Sequence, residues 1–289
     1  LLSIVMFCDK VNIPFDVYAF TNEWNRKELN YSANSDTPNE FHVGSEFSMM
    51  NLITSRVNRK ELNAQMETIY MIARSYNSQS MDIVPSRVGL SGTPLNEALI
   101  SLRKILPEFK SRNGVEKAHV MVLTDGEAGW VRYTHEISTY DGETKISVGR
   151  LSHHNAYIRN FTTGNVSQVD KSKLGGLTTC ILNDLREEFP ESTFTGFRIL
   201  EKRGGWFVRQ AVQYDEKMLT KWRKEKTITL TNAGYNKYFV VACDSMQESS
   251  DFEVGDGATK AKIKSAFAKS LKSKKSNKKI LGDFISLIA

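Results

Sequence analysis

Apolar residues recur at three- and four-residue spacing from the first position (Leu1, Ile4, Val5, Cys8, Val11), and Pro14 follows. The chain therefore opens on a helix over residues 1–12. Phe15 to Thr21 is dense in aromatic and β-branched residues and predicts a buried strand. From Asn22 to about Val43 the period disappears among Asn, Ser, Asp and Pro, which predicts a long loop or insertion. Residues 46–58 and 60–76 carry partial helical spacing. A helix with Leu95, Leu99, Leu102 and Leu106 on one face follows Pro94, a first-turn proline, with Thr93 as its N-cap.

Ala118 to Thr124 is a continuous apolar run and predicts a central parallel strand buried on both faces, with His119 inside the core. Beyond it the rhythm changes. Asp141-Gly142 lies between two strand-like runs, the signature of a two-residue hairpin turn, so residues 131–149 read as an inserted β-hairpin. A polar loop comes next, then a helix over 177–189, a strand over 193–200, a helix over 211–224 and a last strand over 238–243. Lysine-rich helical segments close the chain, with Ile263, Phe267 and Leu271 on one stripe and Ile280, Leu281, Phe284, Ile285 and Ile288 on another. Helix–strand alternation over most of the length predicts an α/β fold with a mostly parallel central sheet and helices on both faces.

Composition narrows this. With 289 residues, 40% apolar and 25% charged, the chain has the make-up of a globular domain with insertions. No run of apolar residues is long enough to span a membrane. Cys8, Cys180 and Cys243 are odd in number and widely spaced, which argues against a disulfide framework or a zinc site and for a reducing, cytoplasmic compartment. Cys8 and Cys243 read as buried small hydrophobes. The formal net charge of +6 is local: nine lysines and no acid lie between Ala258 and Gly282, so the rest of the chain is net negative. That tail, with Lys269, Lys272, Lys274, Lys275, Lys278 and Lys279 at its centre, reads either as a docked helix with a solvated basic face or as a contact for nucleic acid or an acidic partner. Its lysines lack interleaved arginines or aromatics, which argues against sequence-specific base recognition.

The chemistry-bearing features are two loops. Ser91-Gly92-Thr93-Pro94-Leu95 opens a helix, and Thr124-Asp125-Gly126-Glu127 ends a buried strand. In open parallel sheets, ligands gather outside the carboxyl ends of the strands. The Thr93 hydroxyl and the Asp125 carboxylate are hard oxygen donors suited to Mg²⁺ or Mn²⁺. The alternative readings are a plain helix cap for Thr93 and a turn residue for Asp125. No Gly-x-x-x-x-Gly-Lys-Ser/Thr motif is present, and no sequence context points to an activated nucleophile, so the chain reads as a non-catalytic binding protein. Adjacent His153 and His154 read as a surface pair, and Lys202 to Phe207 as a turn with a basic flank.

The order and spacing of the two loops resemble the second and third motifs of the von Willebrand factor A (VWA) domain, over roughly residues 1–245. The resemblance implies a Rossmann-like fold over residues 1–250, with insertions near 22–43 and 127–176 and a separate segment at 251–289. It also implies that Thr93 binds a metal through its hydroxyl, that Asp125 holds a metal-bound water, and that Ser91, Gly92, Thr124 and Gly126 shape the loops. A partner protein would complete the coordination with an Asp or Glu. The family's first motif, Asp-x-Ser-x-Ser, is missing: Asp170-Lys-Ser-Lys-Leu lacks its second serine, and Asp244-Ser-Met follows the last strand. The opening helix instead falls where the helix after that motif should be. The reading is thus a VWA fold without its first, central strand and with an incomplete metal site. The start without Met, inside a helical pattern, suggests a natural protein that begins upstream.

Within the family, the stretch around Val17 to Thr21 resembles the intracellular branch of cobaltochelatase-subunit type and its phage-encoded relatives. That resemblance implies a AAA+ ATPase partner of the MoxR or chelatase class. The alternatives are a subunit of a cobalt or magnesium chelatase and a nucleic-acid-associated protein acting through the tail.

Overall fold

The computed structural model describes residues 1–23, 36–77, 88–89, 92–151, 156–170, 175–201, 204–231 and 233–243. In chain order the elements are α1 (Leu2–Lys10), β1 (Asp16–Asn22), β2 (Phe41–His42), β3 (Phe47–Thr54), α2 (Arg59–Asn77), α3 (Leu95–Asn113) and β4 (His119–Thr124). The hairpin strands β5 (Arg132–Ser138) and β6 (Thr144–Arg150) follow, then β7 (Tyr157–Arg159), β8 (Val166–Gln168) and α4 (Gly176–Glu188). The last elements are β9 (Thr193–Leu200), α5 (Gly205–Ala211), α6 (Glu216–Glu225), β10 (Thr227–Leu230) and β11 (Lys237–Ala242). The protein is a mixed α/β chain. It divides into two compact units, residues 1–102 with 128–156, and residues 103–127 with 157–289. Among the described residues no helix is long and apolar enough to cross a membrane.

In the first unit, β1 pairs antiparallel with β3, and β2, β5 and β6 form a second antiparallel sheet. Val5, Ile53 and Leu62 are buried together, with Phe15, Val17, Met66 and Ile69 packed against them. These positions put one face of α1 and one face of α2 on the β1–β3 pair. Apolar residues at helical spacing on α1 and α2 have no other way to leave water. The hairpin turn falls at the expected residues but is longer than two. Thr139 N–H donates to the Glu143 carbonyl (2.8 Å), and Gly142 takes φ 82°, a left-handed conformation natural to glycine. Tyr140, Asp141 and Gly142 thus form a three-residue loop.

In the second unit the sheet order is β10-β11-β9-β4. β4 and β11 run parallel to β9, and β10 is antiparallel to β11. Phe197, Phe239 and Val241 are buried together with Met121 and Leu123 against them. Leu200, Ile228 and Val240 pack instead with Phe207 and Val208 of α5 and Leu219 of α6. Alternation along β9 and β11 therefore serves two separate cores.

Several expectations are corrected. Residues 46–58 are not helical: Phe47–Thr54 is a strand, because β1 takes it as its partner and Ile53 is completely buried. Among the described residues parallel pairing is confined to β4, β9 and β11. Among the described residues β1 bonds only to β3 and β4 only to β9, so each keeps one edge without a strand. β4 is not buried on both faces: Val122 is buried, its neighbours are half-buried and His119 is exposed. The helix expected over 211–224 starts only at Glu216, as α6 capped by Asp215, and a separate helix, α5, ends at Ala211. Trp206 and Phe207, expected in a turn, begin α5. β10 had no counterpart in the sequence reading. Cys8 and Cys180 are buried, but Cys243, expected inside, is exposed. His153, His154, Lys202 and the segment 251–289, with all six tail lysines named above, lie outside the described residues, as does Ser91.

Candidate functional site

The Gly92–Leu95 loop belongs to the first unit. Gly92 takes φ 70°, and a Cβ there would come within 3.0 Å of the Asn22 side-chain amide, so the loop lies against the end of β1. Thr93 is half-buried and contributes its carbonyl, which accepts from Leu95 N–H (2.8 Å) and from Gly129 N–H (2.9 Å). The Asn96 side chain returns the contact by donating to the Gly129 carbonyl (3.2 Å). The first intrahelical bond of α3 runs from Ala98 N–H to the Pro94 carbonyl, so the cap position is Pro94, one residue later than expected. The loop is held by its backbone, which leaves the Thr93 side chain outside the structural role expected of a cap.

The Thr124–Glu127 loop belongs to the second unit. The Thr124 hydroxyl accepts from Gly126 N–H (3.1 Å) and donates to the Gly126 carbonyl (3.0 Å), closing a tight turn at the carboxyl end of β4. Asp125, at its apex, is exposed. Thr124 is in register with Arg198 of β9. Arg198 is buried, and its guanidinium lies 4.5 Å from the centroid of the Phe207 ring. Burial raises the phenol of Tyr238, and the hydrogen bond and charge of Arg198 oppose that rise. The sheet's carboxyl end thus carries an exposed carboxylate and a buried fixed cation.

Thr93 and Asp125 are oxygen donors of the right kind for Mg²⁺ or Mn²⁺, one in each unit. Among the described residues no three His, Cys, Asp or Glu side chains gather as a metal-holding group.

A second constellation, wholly within the first unit, escaped the sequence reading. A pocket of about 210 Å³ is lined by His42, Glu46, Glu97, Trp130, Arg132 and Arg150, among others. Glu46 sits in the turn before β3, fixed by Phe47 N–H donating to the Gly44 carbonyl (3.0 Å) and Glu23 N–H donating to the Glu46 carbonyl (2.7 Å). A Cβ on Gly44 would overlap the Glu46 carboxylate, so any other residue there would displace that carboxylate. Arg132 on β5 pairs with Glu46 Oε1 (2.5 Å), and the Glu46 side chain is 9% exposed. His42 on β2 stands opposite Arg132 and is 3% exposed. Among the described residues, Glu46 Oε2, Glu97 Oε2 and His42 Nε2 are buried without a hydrogen-bond partner. Burial, with the Arg132 charge added, lowers the His42 pKa, so its imidazole is neutral at physiological pH. Burial raises the Glu97 carboxyl, and the Glu46 charge adds to the rise. Arg150 lies 4.1 Å from the centroid of the Trp130 ring at the exposed side.

No signal along the chain marks this group. His42 and Arg132 meet through a strand register about ninety positions apart in sequence, and Glu97 arrives on the first turn of a helix. Comparison of the chain with protein families, with curated proteins and with solved structures returned no match.

Proposed function

We propose that the chain is a non-catalytic protein-binding module of the VWA type, which receives an acidic side chain of a partner protein in a divalent-cation-dependent contact. It would work in the cytosol beside a AAA+ ATPase that remodels the bound target. The observation that carries the reading is the carboxyl end of β4, where the Thr124-pinned turn presents Asp125 to solvent. The carboxyl edge of parallel strands is where open α/β sheets take ligands. Buried Arg198 in the same sheet favours an incoming carboxylate, because a desolvated guanidinium lacks the water that would otherwise screen it.

The VWA assignment is supported by the order of the two motifs and by an antiparallel β1–β3 pair followed by parallel β4, β9 and β11. Each loop contributes on its own account: Asp125 through its exposed carboxylate, and Thr93 through a hydroxyl on a loop held by backbone bonds.

The test is Mn²⁺ binding followed by electron paramagnetic resonance, together with partner capture in Mg²⁺ against EDTA. Wild-type chain is compared with Thr93→Ala and Asp125→Ala. Both variants are expected to keep the wild-type unfolding midpoint while losing cation affinity and cation-dependent capture. Capture indifferent to EDTA and to both substitutions refutes the reading.

A further inference from the structure

We infer that the pocket between His42, Glu46, Glu97 and Trp130 is a binding site for an alkylammonium or guanidinium group, either a small free amine or a lysine or arginine side chain. It is independent of the cation-dependent contact proposed above.

The argument is an accounting of polar atoms. Buried polar atoms in folded proteins are nearly always hydrogen-bonded, and one left without a partner asks for an explanation. Here three such atoms, Glu46 Oε2, Glu97 Oε2 and His42 Nε2, belong to side chains that line one pocket. Two are carboxylate oxygens, which only accept. The neutral imidazole Nε2 accepts as well when the proton sits on Nδ1. A ligand that satisfies all three brings several N–H donors on one centre, which describes an ammonium or a guanidinium.

The two arginines at the pocket are already committed. Arg132 is paired with Glu46 Oε1, and Arg150 is stacked on Trp130. An anionic ligand would have to compete with Glu46 for Arg132 and would meet the Glu97 carboxyl. Glu97 has no ion-pair partner at hydrogen-bonding distance among the described residues. Burial raises its pKa, and the Glu46 charge adds more to that rise than the Arg132 charge takes back. Trp130 adds an aromatic face at the mouth, and the stacked Arg150 shows that this face takes a guanidinium. At about 210 Å³ the pocket has room for one side-chain-sized group with its alkyl stem and excludes a large metabolite.

The experiment titrates the full chain by calorimetry, with EDTA present throughout so that the cation-dependent contact plays no part. The probes are n-butylammonium, n-butylguanidinium, blocked lysine and arginine (Nα-acetyl amides), n-pentanol as a neutral isostere, and inorganic phosphate. The cationic probes are expected to bind and the alcohol and phosphate not to. Glu97→Gln should weaken binding by roughly tenfold or more, the loss of one charge-assisted hydrogen bond. Binding of the simple amines but not of the blocked amino acids assigns the site to free amines, and the reverse order assigns it to a partner's side chain. The proposal is overturned if no cationic probe binds at millimolar concentration, if phosphate or n-pentanol binds as well as the cations, or if Glu97→Gln leaves the affinity unchanged. Should Glu97→Gln fail to fold, the wild-type contrast between n-butylammonium and n-pentanol decides by itself.

Discussion

Arg103 is the substitution whose cost follows most directly from the structure. It lies on α3 and donates to two carboxylates of α4: Nη2 to Asp184 Oδ2, and Nε to Glu188 Oε2 at 2.9 Å. Asn160 supports the same pair, donating to Asp184 Oδ1 (2.7 Å) and Glu188 Oε2 (3.2 Å). The side chains of Asp184 and Glu188 are only 7% and 13% exposed. Arg103→Met keeps the bulk and removes the charge, which leaves two carboxylates in low dielectric facing each other. Breaking a buried pair from one side costs about 3–5 kcal/mol. Arg103 itself is 32% exposed, so water reaches the vacated position, and the expected loss falls to about 2–4 kcal/mol. Native-state hydrogen exchange read at the α4 amides isolates the effect to the second unit, where a single global transition need not apply. The exposed pair Arg223–Glu216, at 3.7 Å, is the control, and Arg223→Met should change stability by less than about 0.5 kcal/mol. A loss below about 1 kcal/mol for Arg103→Met, or equal losses at the two arginines, would refute the argument that burial sets the cost.

Gly196→Ala should destabilise the sheet by about 1–3 kcal/mol, because a Cβ in the middle of β9 would lie 2.5 Å from Tyr238 Cδ2 and 2.8 Å from Tyr235 Cε2 in a stacked ring pair; chemical denaturation measures it, and a neutral result means the rings move freely. Asp215→Ala removes the side-chain cap that accepts from Lys217 N–H (2.8 Å) and Met218 N–H (3.1 Å) and should cost about 1 kcal/mol, seen as faster exchange at the first turn of α6. Burial pushes the Cys8 thiol up to about 11, so the folded state favours the protonated form; its contribution to stability is intact below the unfolded thiol value and is lost as pH rises toward 11. At pH 8, iodoacetamide should therefore modify exposed Cys243 well before buried Cys8, with mass spectrometry as the readout, and equal rates would contradict the packing of α1.

Most of the regular elements were legible in the chain because their signals are local. The 3.6-residue spacing of Leu95, Leu99, Leu102 and Leu106 is the face that α3 buries, and all four are buried. The apolar runs at Thr193–Leu200 and Lys237–Ala242 became neighbouring parallel strands, and Asp141-Gly142 did mark the hairpin turn. The two motif loops were visible for the same reason: a threonine and proline before a helical run and an aspartate after an apolar run are short-range patterns.

Tertiary structure decided what depends on partners distant in sequence. Phe47–Thr54 mixes polar and apolar residues without a clean period, and it became a strand because β1 offered its backbone a ladder. β4 has the composition of a central strand, yet its one-sided pairing leaves His119 exposed. The amine pocket is the clearest case. Glu46, His42, Arg132 and Glu97 are ordinary residues in their own segments, and their chemistry arises only when a strand register sets His42 against Arg132 and packing buries His42 and Glu46 beside it. Desolvation is a property of the packed chain, so spacing along the sequence determines which residues form the elements, and packing alone determines which of their charges are left without water.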